Sequence, residues 1–148
     1  MATVHKGLAL AALVVAGTGS TGGPALASSL LTACKPDVAQ LCKGVKQGRG
    51  RISACLFAHD GRVSDTCRPE LLKVTSSGTF RKAVPASLNN LKGTDRDRQL
   101  RQVCASDINS RCAAAGSGTE QVLACLYAWS NRLERACYVE ARALLEGN

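Results

Sequence analysis

Residues 34–67 read CKPDVAQLCKGVKQGRGRISACLFAHDGRVSDTC, a C-x7-C-x12-C-x11-C frame. Seventy residues later, residues 104–137 repeat the same three gaps as CASDINSRCAAAGSGTEQVLACLYAWSNRLERAC. Laid over each other, the copies also share Asp37/Asp107, Gly48/Gly118, Ala54/Ala124, Leu56/Leu126, Ala58/Ala128 and Arg62/Arg132. All eight cysteines of the chain belong to this pattern. Recurrence at a fixed period is the mark of an internal duplication, and the fold is therefore read as one unit used twice.

Within the unit the periodicity is helical. Val38, Leu41, Cys42 and Val45 fall at i, i+3, i+4 and i+7, and Ile52, Cys55, Leu56 and His59 repeat those offsets. Pro36 and Asp37 suit a first helical turn, which tolerates Pro and favours an acid. Gly44, Gly48 and Gly50 separate the two segments, and Asp60-Gly61 closes the second as a turn. A third helix carries Cys67, Leu71 and Val74, and Pro69 requires it to begin near residues 66–68. The second copy follows with Val122, Cys125, Leu126 and Trp129, then Cys137, Ala141, Leu144 and Leu145, with Thr119 as a candidate N-cap. No β-type alternation occurs, so the expected fold is all-α: two disulfide-stapled helical hairpins.

Eight cysteines in a short chain with no C-x-x-C point to a disulfide framework rather than a redox pair. Four cysteines allow three pairings within each repeat. A hairpin favours the nested one, because Cys42 and Cys55 flank the Gly-rich turn at similar distances and Cys34 and Cys67 meet further out. The expected bridges are Cys34–Cys67, Cys42–Cys55, Cys104–Cys137 and Cys112–Cys125. Structural zinc is disfavoured, since its ligands usually come in short-spaced pairs. No metal or other cofactor is expected.

Outward from the repeats, residues 68–103 form a basic spacer with eight Lys/Arg against three acids. Thr75-Ser76-Ser77-Gly78, Pro85 and Gly93 interrupt it, and TDRDRQLRQVC from Thr94 reads as a capped helix with Leu100, Val103 and Cys104 on one side. At the N-terminus, MATVHK, an apolar run GLALAALVVAG and a Gly/Ser/Thr stretch ending Ala25-Leu26-Ala27 follow the plan of a secretory signal peptide cleaved after Ala27. Leu31-Thr32-Ala33-Cys34 resembles a lipoprotein box, but it lies well downstream of the apolar core, and Cys34 already opens the repeat. Removing 27 residues from 148 leaves 121, and loss of Lys6 takes the net charge from +8 to +7. The apolar run is shorter than the roughly 20 residues that span a bilayer, so no transmembrane segment is expected. A secreted or periplasmic protein is the reading, organised as 1–27, 34–67, 68–103 and 104–137.

The cysteine frame, Asp three residues after the first cysteine, a Gly-containing turn and Cys-Leu at the third position together resemble the cysteine-rich repeat of the Golgi apparatus protein, also described as the cysteine-rich fibroblast growth factor receptor. The residues that carry it are Cys34, Asp37, Cys42, Gly48, Gly50, Arg51, Ile52, Cys55, Leu56 and Cys67, then Cys104, Asp107, Cys112, Gly118, Val122, Cys125, Leu126 and Cys137. The second copy has Glu120-Gln121 where the first has Gly50-Arg51. The large animal members carry many such repeats before a membrane anchor, so this two-repeat chain is closer to the small secreted bacterial proteins with the same repeat. The resemblance implies binding of a protein or glycan outside the cytoplasm. Plant lipid-transfer proteins, the other eight-cysteine helical class, have adjacent Cys-Cys and Cys-x-Cys, and neither occurs here.

Catalytic chemistry finds no support. His59 stands where Trp129 stands in the second copy, on an apolar face, which favours packing. Asp37 and Asp107 are read as first-turn acids rather than cation ligands. The Gly-Arg-Gly turn lacks the Lys-Ser/Thr of a phosphate loop. The remaining candidate is electrostatic: Lys43, Lys46, Arg49 and Arg51 crowd one turn, and the spacer adds Arg81, Lys82, Arg96, Arg98 and Arg101. If these converge they form a basic face for an anionic glycan, an envelope surface or an acidic protein; otherwise they simply solubilise the chain. Nucleic acid is disfavoured, because few aromatics are present for stacking. The reading is a non-enzymatic interaction module, with a polyanion binder and a cysteine-based metal carrier as alternatives.

Overall fold

The computed structural model describes residues 23–84 and 90–146, with helices and no strand among them. In chain order they are α1 (Gly23–Ala33), α2 (Lys35–Leu41), α3 (Arg51–Ala58), α4 (Arg68–Thr75), α5 (Gly78–Ala83), α6 (Asp95–Val103), α7 (Ala105–Arg111), α8 (Thr119–Ala128) and α9 (Arg135–Glu146). Two repeats are thus visible as α1–α4 and α6–α9, joined by α5. The apolar leader at residues 1–22 and Pro85 lie outside the described residues.

Each repeat is stapled in the same way. Cys34 bonds Cys67 and Cys42 bonds Cys55, while Cys104 bonds Cys137 and Cys112 bonds Cys125. The outer bridge fastens the start of α2 or α7 to the beginning of the unit's last helix, and the inner bridge crosses the turn. All eight sulfurs are buried. In chain-entropy terms each bridge contributes roughly 2–4 kcal/mol by restricting the unfolded chain, which matters for a core built mainly of Leu, Ala and Cys.

The packed unit is larger than the cysteine frame. α1 packs on α4, and α6 packs on α9, so a helix before the first cysteine lies against the helix after the last. Leu30 and Leu100, separated by the repeat period, are buried on those two helices. Spacer residues 68–103 therefore supply α4 and α6 to the repeats, and among the described residues α5 is the helix left between them. α6 starts on Thr94, whose hydroxyl accepts from Asp97 N. Leu100 and Cys104 are buried there, but Val103 is exposed. Thr119, expected as an N-cap, is instead the first residue of α8 behind Gly118. Its hydroxyl is turned inward and donates to Asp97 Oδ1.

The two repeats meet through their third helices, α3 against α8, the broadest helix–helix contact in the described structure. The contact is reciprocal. His59, at the end of α3, donates from Nδ1 to the carbonyl of Ala114 in the turn of repeat 2, at 2.9 Å. Trp129, its counterpart, packs over Gly44 in the turn of repeat 1, so closely that a Cβ at Gly44 would stand 3.3 Å from the indole ring. Gly44 and Ala114 are themselves counterparts. Exchange of equivalent contacts is what an approximate twofold axis between two copies produces.

Candidate functional site

The shared aspartates hold each repeat shut. Asp37 Oδ1 accepts from Ser64 N at 2.7 Å, and its Oδ2 accepts from Ser64 Oγ at 2.8 Å. Asp107 Oδ2 accepts from Glu134 N at 3.0 Å, and Oδ1 accepts from Arg111 Nε at 3.2 Å. Both carboxylates are buried. They clamp the second helix of the unit to the loop that leads into the last cysteine, which is a structural role beyond that of first-turn acids. His59 is likewise buried and spent on the contact between the repeats.

A different place has the shape of a site. A cleft of about 790 Å³ opens where repeat 1, α5 and repeat 2 come together. α5 contributes Thr79, Lys82 and Ala83 to its lining, and α9 contributes Tyr138, Ala141, Arg142 and Leu145. Leu126, Tyr127, Ser130 and Leu133 complete repeat 2's share, and Arg49 and Arg51 enter from the turn of repeat 1. Four lining residues are cationic and none is an Asp or Glu. Phe80 of α5 and Val84, which caps the helix, are both buried. Phe80 meets Phe57 edge-to-face with ring centroids 5.2 Å apart, and so fixes α5 against repeat 1.

The turn that supplies the arginines is built for its task. Gly48, Arg49 and Gly50 all take positive φ, at +97°, +52° and +71°. Two of these positions have the residue that tolerates such a backbone, and Arg49 adopts it against a steric cost of about 1 kcal/mol. Two contacts secure the turn. Tyr127 donates its hydroxyl to the carbonyl of Arg49 at 2.5 Å. Arg51 donates from Nε to Lys46 O and from Nη2 to Gln47 O. Arg51 thus braces the turn while its charge stays at the cleft.

The structure sorts the basic residues singled out by sequence. Of Lys43, Lys46, Arg49 and Arg51, only Arg49 and Arg51 line the cleft. Lys82 joins them from the spacer, and Arg142, which sequence reasoning did not single out, joins from α9. Arg98 and Arg101 are spent locally: Arg98 pairs with Asp95, and Arg101 Nε donates to Asp97 at 3.0 Å while its Nη2 reaches Ser117 O. On α4, Glu70 is held below its ordinary pKa by hydrogen bonds from Lys73 and Ser29. That pair is exposed on α4 and lies outside the cleft lining.

Every cysteine being in a disulfide, no thiolate is left for a metal. Among the described residues, no group of three or more His, Cys, Asp or Glu stands where it could hold one. No described helix is long and apolar enough to cross a membrane.

Comparison with protein families gives one match: a family model described as a cysteine rich repeat fits the chain twice, over residues 21–62 and 95–137. Each match starts ahead of the first cysteine, taking in all or most of α1 and α6. No curated relative and no solved structure matches the chain.

Proposed function

The chain belongs to the cysteine rich repeat family, its two matches covering more than half its length; from this premise we propose that it is a non-enzymatic, exported binding module that recognises an anionic partner through the cleft between its repeats. The observation that carries the reading is the lining itself, with Arg49, Arg51, Lys82 and Arg142 around one concavity and no acid among them. Cations gathered on low-dielectric walls focus an attractive potential for anions. The scaffold suits the task, because a disulfide-bonded unit with its turn pinned by Tyr127 presents these charges with little ordering left for binding to supply.

Export agrees with four disulfides, which persist in oxidising compartments. Processing after Ala27 would cut within α1, and both Leu30, which is buried, and Ser29, which donates to Glu70, lie beyond the cut. The cleaved chain would therefore keep these two contacts.

The test is retention of the oxidised protein on an anionic matrix such as dextran sulfate, eluted with a salt gradient. Retention should fall steeply with ionic strength. Arg49→Gly and Lys82→Ala should each elute earlier than wild type, while Lys43→Ala and Lys46→Ala should shift elution less. Equal elution of all four variants would mean that the cleft is not the binding surface.

A further inference from the structure

The same cleft is only half described by its charge. Its walls are apolar as well: Leu133, Ala141 and Leu145 of repeat 2 and Ala83 of α5 line it together with Tyr127 and Tyr138. A surface meant only for a polyanionic chain has no use for such a lining. Four hydroxyl-bearing residues, Thr79, Tyr127, Ser130 and Tyr138, stand beside the four cations, so polar ends and apolar surface share the cleft. The volume, about 790 Å³, falls in the range of pockets that hold small organic ligands.

The molecule also contains an internal precedent. Phe57 and Tyr127 are counterparts under the repeat period. In repeat 1 that position is covered by an apolar group, the ring of Phe80. In repeat 2 the equivalent ring lines the cleft. The surface that takes a phenyl group in one half of the molecule is thus open in the other, with cations added at its edge.

Resting on the anion-recognition reading above, we propose that the cleft binds a small amphiphilic anion: an apolar body lies on Leu133, Ala141 and Leu145, and a single carboxylate-like headgroup pairs with Arg49 and Lys82. Arginine and lysine suit this double task, since their methylene stems cover apolar surface while their charged ends stay at the rim. The headgroup supplies orientation and the apolar body supplies most of the affinity.

The experiment uses the oxidised full chain and linear alkyl carboxylates, from hexanoate to dodecanoate, each well below its micellar range, with binding followed by calorimetry. Affinity should rise by about fourfold for each methylene buried, until the cleft is filled. Dodecyltrimethylammonium, which has the same tail and the opposite charge, should bind at least about tenfold more weakly than dodecanoate, since it loses both ion pairs and is repelled by the cations at the rim. Arg49→Gly and Lys82→Ala should each weaken dodecanoate by about fivefold, the upper end for a solvent-accessible ion pair. Glycine is chosen at position 49 because its positive φ is then retained without strain. Ala83→Phe, which places a ring in the cleft from α5, should abolish dodecanoate binding while leaving the thermal midpoint near that of wild type.

Retention on dextran sulfate with no carboxylate binding would overturn the amphiphile proposal and leave anion recognition standing; absence of both would overturn the two together. Binding of dodecanoate that survives all three substitutions, or that the cationic amphiphile matches, would mean adsorption elsewhere and would equally overturn it.

Discussion

Repeat 1 and repeat 2 have the same skeleton and different surfaces. The two disulfides, the buried aspartate that grips the loop before the last cysteine, and the small residues Ala54/Ala124 and Ala58/Ala128 on the facing helices recur at the same places. What differs lies at the edges. Repeat 1 turns through Gly48-Arg49-Gly50, whereas repeat 2 enters α8 directly at Thr119, tied to Asp97. Repeat 1 offers His59 to its partner's turn, and repeat 2 offers Trp129. Phe57 is covered by the connecting helix, and Tyr127 lines the cleft. Duplication preserved the staples and the facing surfaces, which any pair of copies needs to fold. It released the turns and the outer ring positions, and Arg49, Arg51 and Tyr127 among those released positions line the cleft beside the shared Leu126 and residues of α5.

The strongest challenge to an equivalent skeleton is to remove one outer bridge at a time. Cys34→Ala/Cys67→Ala and Cys104→Ala/Cys137→Ala each open a bridge of sequence separation 33, for which loop entropy predicts a loss of about 4 kcal/mol. Urea unfolding should give losses equal to within about 1 kcal/mol. The inner bridges, of separation 13, should cost about 3 kcal/mol each. A large inequality between repeats would show that one copy folds on the other as a template.

The aspartates come next. Asp37→Ala leaves Ser64 N–H without its acceptor, and the expected loss is about 2 kcal/mol. Asp107→Ala should cost a similar amount, but for a second reason as well, since it strips Arg111 of its carboxylate. Adding Arg111→Leu, the residue type repeat 1 has at Leu41, should return part of the loss in repeat 2. Failure of that rescue would mean that Arg111 matters through its cation–π contact with Trp129, which lies 5.2 Å from the guanidinium.

Gly44→Ala tests the reciprocal packing of the repeats. The new methyl group meets both a backbone at φ +88° and the Trp129 ring, so a stability loss of about 1–2 kcal/mol is expected in urea unfolding, with a lower thermal midpoint. Ala114→Gly, at the matching place in repeat 2, should cost less than half of that. If the two were equal, the close approach of Trp129 would have no energetic weight.

These differences also explain which parts of the structure were legible in the sequence. Helices and repeats were readable because cysteine spacing and the i, i+3, i+4, i+7 faces are local signals. The helix before each first cysteine was harder. In repeat 2 Thr94 announces α6, but in repeat 1 the Ala-, Leu- and Ser-rich composition of α1 matches an export segment and hides a helix that packs on α4. The meeting of α3 with α8 leaves no local trace beyond shared alanines, because two buried faces on distant segments look the same whether they pack on each other or on a common core. The basic residues needed three dimensions to sort. Asp95–Arg98 and Asp97–Arg101 have helical spacing that marks arginines already engaged, a signal present in TDRDRQLR. Lys82 could be assigned to a face once Phe80 and Val84 were recognised as the buried side of α5. Arg142 could not, since its counterpart in repeat 1 is the exposed Leu72.

Tyr127→Phe carries the smallest expected effect and asks the finest question about the two halves. The hydroxyl of Tyr127 is the part of that side chain with no equivalent at Phe57, and it holds the carbonyl of Arg49. Its removal should cost about 1 kcal/mol or less, since the carbonyl is near the surface and water replaces part of the bond. Phe57→Tyr, the reverse exchange in repeat 1, should gain nothing, because the ring there faces Phe80 rather than a carbonyl. The informative quantity is the anion-binding response. With the tyrosine hydroxyl gone, the left-handed conformation of Arg49 loses a restraint, so Tyr127→Phe should weaken binding more than its stability change alone implies. A variant that binds anions as wild type does would show that Gly48, Gly50 and the Arg51 brace suffice to hold Arg49 at the cleft. The hydroxyl would then matter to the union of the two repeats and not to what they bind.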